Sequence, residues 1–554
     1  MSHLFERHES TLRAAVDALS TRGYWSAYPE IPSAKFYGET ARQEGQAAYD
    51  ALLGQAFALP GHPESSRVGT EQSPFGGALG IRYPTARAEE LLTASQTAAS
   101  AWRDTSIQKR IGICMEVIAR LNQRSFQMAH AVTNTTGQAF PMAFQAGGPH
   151  AQDRALEAVA SSWIEMNRIP AQAEWRKATG RDQFVTLDKH WRIVPRGVAL
   201  CIGCQTFPTW NSYPGMFASL ATGNTVIAKP HPGAILPMAL TVAVAREVLA
   251  EQGLPADVVL LAAEDPGGSL ARELALDERV AIIDFTGSSA FGQWLRKHAA
   301  TPLVHTEETG VNSVVIASCQ DFDGMCENLA FSLALYSGQM CTTPQNLFIP
   351  RSGIETAQGH RTFDEVTQGI ATAIDRLLAD PTRAMMVAGA IGNPETLARI
   401  DNARCKGRII RDSQPLQGAG AARTATPLLL ALESGDEGTC GTERFGPICF
   451  IVPVDDAEEG IGRASSLAER HGAITAALYD TDEVRITMAI DAFAAAGVNL
   501  SINLLGGIYV NQSAAFSDFH VTGANPAGNA SFTDAAFVVD RFRVVMWRRL
   551  IDGA

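Results

Sequence analysis

One cysteine of this chain lies in a turn of small residues that follows a long apolar segment. Residues 329–336 are almost continuously apolar, and residues 337–343 (Ser-Gly-Gln-Met-Cys-Thr-Thr) carry Cys341. A thiolate attacks electrophilic carbon well and also leaves well, so an accessible cysteine can form and release a covalent intermediate. A free cysteine is more often a buried structural residue. Cys341 is therefore a candidate nucleophile whose role depends on its surroundings.

Two adjacent acids, Glu307 and Glu308, lie upstream of this cysteine. The segment 306–313 reads Thr-Glu-Glu-Thr-Gly-Val-Asn-Ser and opens onto an apolar strand. A carboxylate held in a cleft can remove a proton from water, and burial raises its pKa toward the operating pH. Either glutamate fits this role by residue type, and the other then has a solvated or supporting role.

Strands and helices alternate between residues 197 and 308, which predicts right-handed βαβ units in a doubly wound parallel sheet. Lys229 ends one predicted strand, and Gly287 and Ser288 end another and open a helix. Nucleotides bind open sheets at the carboxyl ends of the strands, where a helix N-terminus can face a phosphate. The glycine spacing in 287–292 is neither a Gly-x-Gly-x-x-Gly fingerprint nor a P-loop, because Gln293 follows it.

Five motifs, taken in order, resemble those of the aldehyde dehydrogenase superfamily, and the resemblance spans about residues 90–550. The motifs are 221–230, 285–288, 306–313, 337–343 and 443–447. The resemblance implies an α/β fold with a doubly wound Rossmann-type nucleotide-binding domain, an α/β catalytic domain and an oligomerisation hairpin. It also implies oxidation of an aldehyde to the carboxylic acid through a thiohemiacetal and a thioester on Cys341.

The family's register implies a role for each catalytic side chain. Glu307 falls on the catalytic base, with the next glutamate as the alternative. At the oxyanion donor the chain departs from the pattern, because a gap-free count back from Lys229 places Thr206 where the family has asparagine. We expect Thr206 or Asn211, five residues further on, to substitute, with the backbone N–H of Cys341 as a third candidate. Loss of one such donor costs about 3 kcal/mol in other enzymes.

The resemblance also implies the contacts to a nicotinamide dinucleotide. Lys229 and His231 lie at the adenine-side ribose, Gly287 and Ser288 at the pyrophosphate, Glu443 at the nicotinamide ribose and Phe445 near the ring. Many members that prefer NAD have an acid three residues after the lysine, where this chain has Pro232. A 2′-phosphate is tolerated without that acid, so we expect NADP, with NAD as the alternative.

The composition limits the partners and the compartment. The chain has 554 residues and a net charge of −13, which argues against a nucleic-acid binder, since such a protein needs a basic face. No run approaches the ~20 apolar residues that span a bilayer, and the first residues lack the apolar core of a signal peptide. An odd number of cysteines, nine, favours a reducing compartment over a disulfide framework. We expect a cytoplasmic protein that acts on a small molecule.

Two of the cysteines, Cys201 and Cys204, have the spacing of metal ligands. A structural zinc site needs four ligands, and no second pair with suitable spacing accompanies these two. We therefore expect both to be core residues of a strand, and no metal site.

Changes of pattern along the chain predict its division into parts. We expect an amino-terminal extension or arm at 1–85, a dinucleotide-binding domain at 86–172 and 195–308, a catalytic domain at 309–529, and oligomerisation elements at 173–194 and 530–554. The segment 173–194 predicts two short strands joined around Lys189, and 537–545 predicts a strand. By the resemblance, these elements pair between the subunits of a homodimer or homotetramer.

Within the family, three motifs are most similar to those of members that act on CoA-linked semialdehydes in phenylacetate and other aromatic degradation. They are 206–210, 306–313 and 337–342. The resemblance thus implies a CoA-linked semialdehyde as substrate. Two alternatives stay open: a CoA-acylating dehydrogenase, against which Glu307 argues, and a weakly active homologue that acts as a binding or scaffold protein, which the missing asparagine motivates.

Overall fold

The computed structural model describes residues 3–308, 310–433, 436–532 and 534–551. Thr309, where the catalytic domain is predicted to begin, lies outside the described residues, as do Thr533 and residues 552–554 of the predicted oligomerisation tail. None of the helices in the described part of the chain combines the length and the apolar character needed to cross a bilayer.

The amino-terminal segment is folded onto the body of the molecule. Its elements are α1 (His3–Thr21), α2 (Ala34–Tyr37), α3 (Ala41–Asp50), β1 (Ser66–Val68) and β2 (Tyr83–Thr85). The apolar face of α1 buries Leu4, Phe5 and Leu12 in the same core as the helices that follow. Further on, the buried His62 Nε2 accepts a hydrogen bond (3.0 Å) from the backbone N–H of Leu261. The segment therefore covers the molecule's surface and satisfies a strand edge.

Five helices follow, and the first of them packs against strands of the first large sheet. They are α4 (Ala88–Asp104), α5 (Ile107–Gln123), α6 (Ser125–Thr136), α7 (Phe140–Gly147) and α8 (Pro149–Asn167). Ser106 caps α5 by accepting a hydrogen bond from the Lys109 N–H, and Gly137 ends α6 in a left-handed conformation. The helical periodicity of the sequence predicts helices at 92–102, 107–121, 129–136 and 151–167, which lie within four of these helices, but it predicts none at α7.

A long hairpin follows, formed by β3 (Gln172–Gly180) and β4 (Gln183–Pro195). The prediction of two short strands joined around Lys189 was wrong. Residues 184–194 belong to one continuous strand, and the turn lies at 181–182, where Asp182 has a φ of 63°. Asp182 can adopt this left-handed conformation because a short polar side chain tolerates it better than most residues do.

The first large sheet has five parallel strands in the order β7-β6-β5-β8-β9. Its elements are β5 (Val198–Ile202), α9 (Ser212–Ala221), β6 (Thr225–Lys229), α10 (Leu236–Glu251), β7 (Val259–Leu261), α11 (Leu270–Leu276), β8 (Val280–Gly287), α12 (Ser289–His298) and β9 (Leu303–Glu308). The strands β5, β6 and β7 are buried throughout, as expected for a parallel sheet covered on both faces. This is the doubly wound arrangement that the sequence predicts.

The second large sheet has seven strands in the order β15-β16-β17-β12-β10-β18-β19, parallel except for the β15–β16 pair. Its region contains β10 (Ser313–Ile316), β11 (Ser318–Cys319), α13 (Phe322–Ala334), β12 (Asn346–Pro350), β13 (Ile354–Thr356), β14 (Gly359–Arg361), α14 (Phe363–Leu377), α15 (Pro381–Ala388), α16 (Glu395–Ala403), β15 (Arg408–Arg411), β16 (Leu428–Ala431), α17 (Glu437–Cys440), β17 (Ile448–Val454), α18 (Ala457–His471), β18 (Thr475–Tyr479), α19 (Glu483–Ala495) and β19 (Asn499–Ile502). Because β9 ends the first sheet at Glu308 and β10 starts the second at Ser313, Glu307 lies one residue before the connection between the two sheets.

The tail returns to the first sheet and then joins the hairpin. It forms α20 (Ala535–Val539) and β20 (Phe542–Leu550), so the predicted strand at 537–545 begins only at Phe542. The buried Arg541 between them pairs with Asp284 of β8, with 2.6 Å between Nη2 and Oδ1. β20 then runs antiparallel to β4 and completes a three-stranded sheet in the order β20-β4-β3. The tail strand thus pairs with the hairpin of its own chain, so the expectation that these two elements pair between subunits was wrong.

Candidate active site

Cys341 lies beyond a strained turn that follows α13. Tyr336, Ser337 and Gly338 all have left-handed backbone conformations, with φ of 50°, 49° and 63°. The hydroxyl of Tyr336 donates to the Thr136 carbonyl (2.6 Å), and that of Ser337 donates to the Ala388 carbonyl (3.0 Å). Non-glycine residues hold this conformation only where the surroundings fix it, and such strain is frequent at functional sites.

Asn312 ties the cysteine segment to the second sheet. Its amide nitrogen donates to the carbonyls of Cys341 (2.8 Å) and Thr343 (3.0 Å). Its amide oxygen accepts from the backbone N–H groups of Ile474 and Thr475, at the start of β18. The buried Asn312 side chain thus links the backbone of the cysteine segment to the start of β18 and fixes the position of Cys341 relative to the second sheet.

The two adjacent glutamates of β9 point to different partners, because successive side chains of a strand face opposite sides. Glu307 is 1% exposed, and its Oε1 lies 3.1 Å from the Nε2 of His520. Glu308 is also buried but pairs with Arg296 of α12. The structure therefore brings Glu307 toward Cys341, and places Glu308 away from it.

Asn211 and Thr206, the two candidate oxyanion donors, differ in what they contact. The Asn211 amide nitrogen donates to both carboxylate oxygens of Glu307, at 3.0 and 3.2 Å. The Thr206 hydroxyl lies 3.8 Å from the sulfur of Cys204. Asn211 immediately precedes α9, which begins at Ser212. Of the two candidates, Asn211 therefore contacts Glu307, although the gap-free count back from Lys229 selects Thr206.

Cys204 is not a strand residue, so that part of the core prediction was wrong. Cys201 is buried within β5, but Cys204 lies two residues beyond the strand's end. Its thiol donates to Asn211 Oδ1 over 3.6 Å, and burial raises its pKa to about 11. A second, protonated thiol therefore borders the site.

His520 completes the cluster, and no sequence motif pointed to it. Its Nε2 lies 3.6 Å from the sulfur of Cys341 and 3.1 Å from Glu307 Oε1. The three ligand-type atoms lie within 4.8 Å of one another, so these residues could also hold a metal ion. Burial raises the pKa of the half-buried Cys341 thiol well above its ordinary value, and the charge of Glu307 adds to the rise.

Lys229, which is predicted to lie at the adenine-side ribose, meets an acid that the sequence did not point to. Lys229, at the carboxyl end of β6, is buried, and its Nζ lies 2.7 Å from Oε1 of Glu264. The other oxygen of Glu264 accepts from the Leu270 N–H at the start of α11. The exposed His231 lies two residues beyond Lys229 and accepts from the Gly233 N–H. A cation and a carboxylate side by side suit a ribose, whose hydroxyls both donate and accept.

The other predicted cofactor residues lie on the same side of the molecule or beside the cysteine. Ser288 caps the N-terminus of α12, directly after Gly287 at the end of β8, so the first free N–H groups of the helix can face a phosphate. The negative charge of Glu443 acts on the Cys341 thiol, so this residue lies near the nucleophile. The Phe445 carbonyl accepts from Arg399 Nε (3.0 Å). This donor set fits a dinucleotide that extends from Lys229 to Cys341.

Neither Glu264 nor His520 was identified in the sequence, and only Glu264 could have been found there. Glu264 follows a predicted strand at the same sheet edge as Lys229, so the positional argument used for the lysine would have found it. His520 lies 179 positions from Cys341 in a segment without regular structure, and only the tertiary fold brings it to the thiol.

Comparisons with known proteins agree with this architecture. The model of the aldehyde dehydrogenase family matches residues 70–517. The crystal structure of an NAD-dependent aldehyde dehydrogenase from Burkholderia multivorans is 51% identical, covers 100% of both chains and has a TM-score of 0.98. A Thermus thermophilus 1-pyrroline-5-carboxylate dehydrogenase mutant, 19% identical over 96% of this chain and 99% of its own with a TM-score of 0.75, shares the fold.

The chain is also similar in sequence to a curated semialdehyde dehydrogenase. The N-succinylglutamate 5-semialdehyde dehydrogenase of Burkholderia multivorans is 27% identical over 432 residues, which cover 76% of this chain and 81% of the relative. The family model spans most of the chain, and the fold agrees over its whole length. The chain therefore belongs to the aldehyde dehydrogenase family, the oxidoreductases that oxidise aldehydes with a nicotinamide dinucleotide.

Proposed function

We propose that the protein oxidises a semialdehyde to the carboxylic acid, with Cys341 as nucleophile, Glu307 as base and NAD as the preferred cofactor. The observation that carries the proposal is the meeting of the Cys341 sulfur, a buried Glu307 carboxylate and the Asn211 amide at the passage between the two sheets.

In the first step, the Cys341 thiol gives its proton to the neighbouring Glu307 carboxylate, its sulfur forms a bond to the aldehyde carbon, and the carbonyl oxygen becomes an oxyanion. Glu307 releases this proton to solvent before the last step. The Asn211 amide, which contacts the Glu307 carboxylate, donates to this oxygen, and the backbone N–H of Cys341 is a second donor. Such donors are effective because they are already oriented in a site that excludes water. Asn312 holds the cysteine at a fixed height while the bond forms.

The cofactor, when bound, supplies the acceptor for the hydride that leaves the adduct. Lys229 and Glu264 hold the adenine-side ribose, and the N-terminus of α12 after Ser288 holds the pyrophosphate. Glu443 holds the nicotinamide ribose near the thiol, and Phe445 follows it along the chain.

In the last step, Glu307 removes a proton from water, and the resulting hydroxide attacks the thioester. The carbon–sulfur bond breaks, the carboxylic acid leaves, and the sulfur regains a proton. Glu307 suits this role because it is almost fully buried, so its carboxylate is poorly solvated. Its presence at the nucleophile favours hydrolysis over transfer of the acyl group to CoA.

The preference for NAD is proposed from Glu264. The expectation of NADP depended on the absence of an acid near Lys229. Glu264 supplies one from the loop after β7, with its Oε1 2.7 Å from the Nζ of Lys229. A carboxylate there accepts from the ribose 2′-hydroxyl and repels a 2′-phosphate. We expect Glu264→Gln to raise kcat/KM with NADP relative to NAD at least about tenfold, a change of about 1.4 kcal/mol. Asp265→Asn, which alters an acid that binds the Gly69 N–H, should leave the ratio unchanged.

For the substrate we propose a CoA-linked semialdehyde of phenylacetate or other aromatic degradation. Support comes from the motifs around Thr206, Glu307 and Cys341, and from the semialdehyde named for the curated relative. A free semialdehyde with the same carbon chain is the matched comparison, and a lower KM for the CoA-linked form is the expected result.

We further propose a homodimer or homotetramer, built through the three-stranded sheet, and a cytoplasmic location. The strand β20 lies at the edge of that sheet and exposes Val545, Trp547 and Leu550 by 51–59%. Exposed apolar edge strands favour pairing with a second chain. All nine cysteines are free, which is consistent with a reducing compartment.

The test is an aldehyde panel read by the absorbance of the reduced nicotinamide, with NAD and NADP in parallel. We expect one equivalent of reduced cofactor and one of carboxylic acid per aldehyde, and no turnover in Cys341→Ala. A CoA thioester as the product, formed only when CoA is added, would identify an acylating enzyme. No turnover with any aldehyde would favour the scaffold alternative.

A further inference from the structure

The loop 513–520, which carries His520, borders the space beside the Cys341 sulfur. His520 is buried, and its Nε2 lies 3.6 Å from that sulfur. The Trp210 ring packs edge to face with the His520 ring, with 4.5 Å between the ring centres. An aldehyde carbon that bonds to the sulfur must lie within reach of this loop. The position of the loop therefore affects how the aldehyde is held for reaction.

The loop has no regular structure, and Arg154 of α8 holds it at two places. The guanidinium of the fully buried Arg154 donates to the Ser513 hydroxyl (2.6 Å) and carbonyl (3.3 Å). It also donates to the Asp518 carbonyl (3.3 Å), and it lies 5.0 Å from the centre of the Trp210 ring. One buried cation thus links α8, the loop and the tryptophan that packs on His520.

Between these two places, the amino-terminal segment holds the loop at Phe516. Phe516 is fully buried and has a left-handed backbone conformation, with a φ of 64°. The Trp25 ring packs edge-on against it, with 4.9 Å between the ring centres, and Arg22 donates to its carbonyl (3.2 Å). The guanidinium of Arg22 also lies 4.4 Å from the centre of the Phe519 ring. A non-glycine residue keeps such a conformation only where its surroundings fix it, so these contacts maintain the shape of the loop.

The helix α8 also holds the amino-terminal segment. Its buried Asp153, the neighbour of Arg154, accepts from the Ser26 hydroxyl (2.5 Å) and from the Ala27 N–H (3.1 Å). Residues 22–27 are called the bracing segment below. Adjacent residues of α8 thus bind the bracing segment and the loop, and these two also contact each other at Phe516. The three parts of the chain form one connected unit beside the nucleophile.

We propose that the bracing segment belongs to the aldehyde-binding site, because Arg22 and Trp25 fix the loop 513–520 where an aldehyde carbonyl can reach Cys341. Both are positioning residues, since they act on the reaction through the loop. A displacement of about 1 Å at a reacting centre can cost about 100-fold in rate, so small movements of the loop affect catalysis. The inference rests on the proposed function in taking Cys341 as the atom donor that bonds to the aldehyde.

The first measurement is backbone hydrogen–deuterium exchange in the free enzyme, read by mass spectrometry on peptides that cover the loop 513–520. We expect Arg22→Gln and Trp25→Leu each to speed exchange in the loop at least about tenfold, because each removes a contact that opposes local opening. Exchange in the central strands β10 and β12 should not change. Arg13→Gln is the matched control, because Arg13 belongs to the same segment but pairs with Glu9 on the exposed face of α1; it should leave exchange in the loop unchanged.

The second measurement separates a role at the aldehyde from a general loss of structure. We expect Arg22→Gln to lower kcat/KM for the aldehyde at least about tenfold, while the Kd of NAD, from a fluorescence titration, and the melting temperature stay close to those of wild type. Arg22→Lys keeps a cation that can donate to the Phe516 carbonyl and lie over the Phe519 ring. It should therefore retain more of the wild-type kcat/KM than Arg22→Gln does.

Three outcomes would overturn the proposal: wild-type exchange in the loop of both variants, faster exchange with an unchanged kcat/KM for the aldehyde, or a loss of NAD affinity that parallels the loss of kcat/KM. Arg22 is only half-buried, so Arg22→Gln serves even where Trp25→Leu does not fold. The exchange measurement needs neither aldehyde nor cofactor. An enzyme that oxidises aldehydes but shows wild-type exchange in both variants contradicts only the role of the bracing segment. A wild-type enzyme that oxidises no aldehyde contradicts the proposed function, whatever the exchange shows.

Discussion

Replacing Asn211 by alanine should impair catalysis far more than replacing Thr206 by valine. The Asn211 amide contacts both oxygens of a buried carboxylate at 3.0 and 3.2 Å, whereas the Thr206 hydroxyl has a sulfur at 3.8 Å. Loss of an oxyanion donor costs about 3–4 kcal/mol in the transition state, or about 100- to 1,000-fold in kcat. Loss of a hydrogen bond to a charged group costs a further ~1.5–3 kcal/mol of stability.

The assay is the steady-state formation of reduced nicotinamide at saturating aldehyde and cofactor, with thermal melting to confirm folding. We expect kcat of Asn211→Ala to fall about 100-fold or more, with KM for the cofactor unchanged. Thr206→Val has nearly the same volume and removes only the hydroxyl, so its kcat should stay close to that of wild type. The reasoning is refuted if the valine variant loses activity on this scale while the alanine variant retains it.

Two further predictions concern the framework around the site. Gly338 has a φ of +63°, and an added Cβ would lie 2.6 Å from the Gly446 carbonyl oxygen, whereas Gly506 has a φ of +66° with nothing within 4 Å. Gly338→Ala should therefore lose stability and activity, while Gly506→Ala bears only the backbone cost of about 1–2 kcal/mol; equal melting temperatures for the two variants would contradict this. Burial, then the Arg246 charge, lowers the pKa of His62 from 6.5 to about 4, so its stabilisation is complete above pH 6.5 and is lost as pH falls toward 4. Between pH 6.5 and 4, the free energy of unfolding measured with denaturant should fall by up to about 3 kcal/mol more in wild type than in His62→Gln. The same dependence of this free energy on pH in both proteins would exclude His62 as the cause.

The sequence predicted the parts of the site whose geometry follows from local order. Glu307 and Lys229 lie at the carboxyl ends of β9 and β6, and the carboxyl ends of parallel strands lie on one edge of the sheet whatever lies between them along the chain. The alternation of strands and helices was sufficient for the doubly wound sheet, because parallel strands need helical crossovers.

The features of the site and the tail that the sequence did not predict depend on tertiary packing or on where a helix begins. The gap-free count that selected Thr206 fixed the number of residues before Lys229, but in the structure Thr206 lies six residues before the start of α9 at Ser212, and Asn211 lies directly before it. Asn211 therefore reaches the carboxylate instead. The break between Val539 and Phe542 was missed because both flanking runs are apolar, and the anchoring of Arg541 by Asp284 has no local signature.

The most direct test of the central claim is to trap the covalent intermediate in Glu307→Gln, which keeps the shape of the side chain but cannot act as a base. After mixing with aldehyde and NAD, the account predicts a burst of one equivalent of reduced cofactor and an acyl group on the Cys341 peptide that persists for many wild-type turnovers. An acyl group on Cys204 instead, or steady turnover at the wild-type rate with no adduct on Cys341, would contradict it.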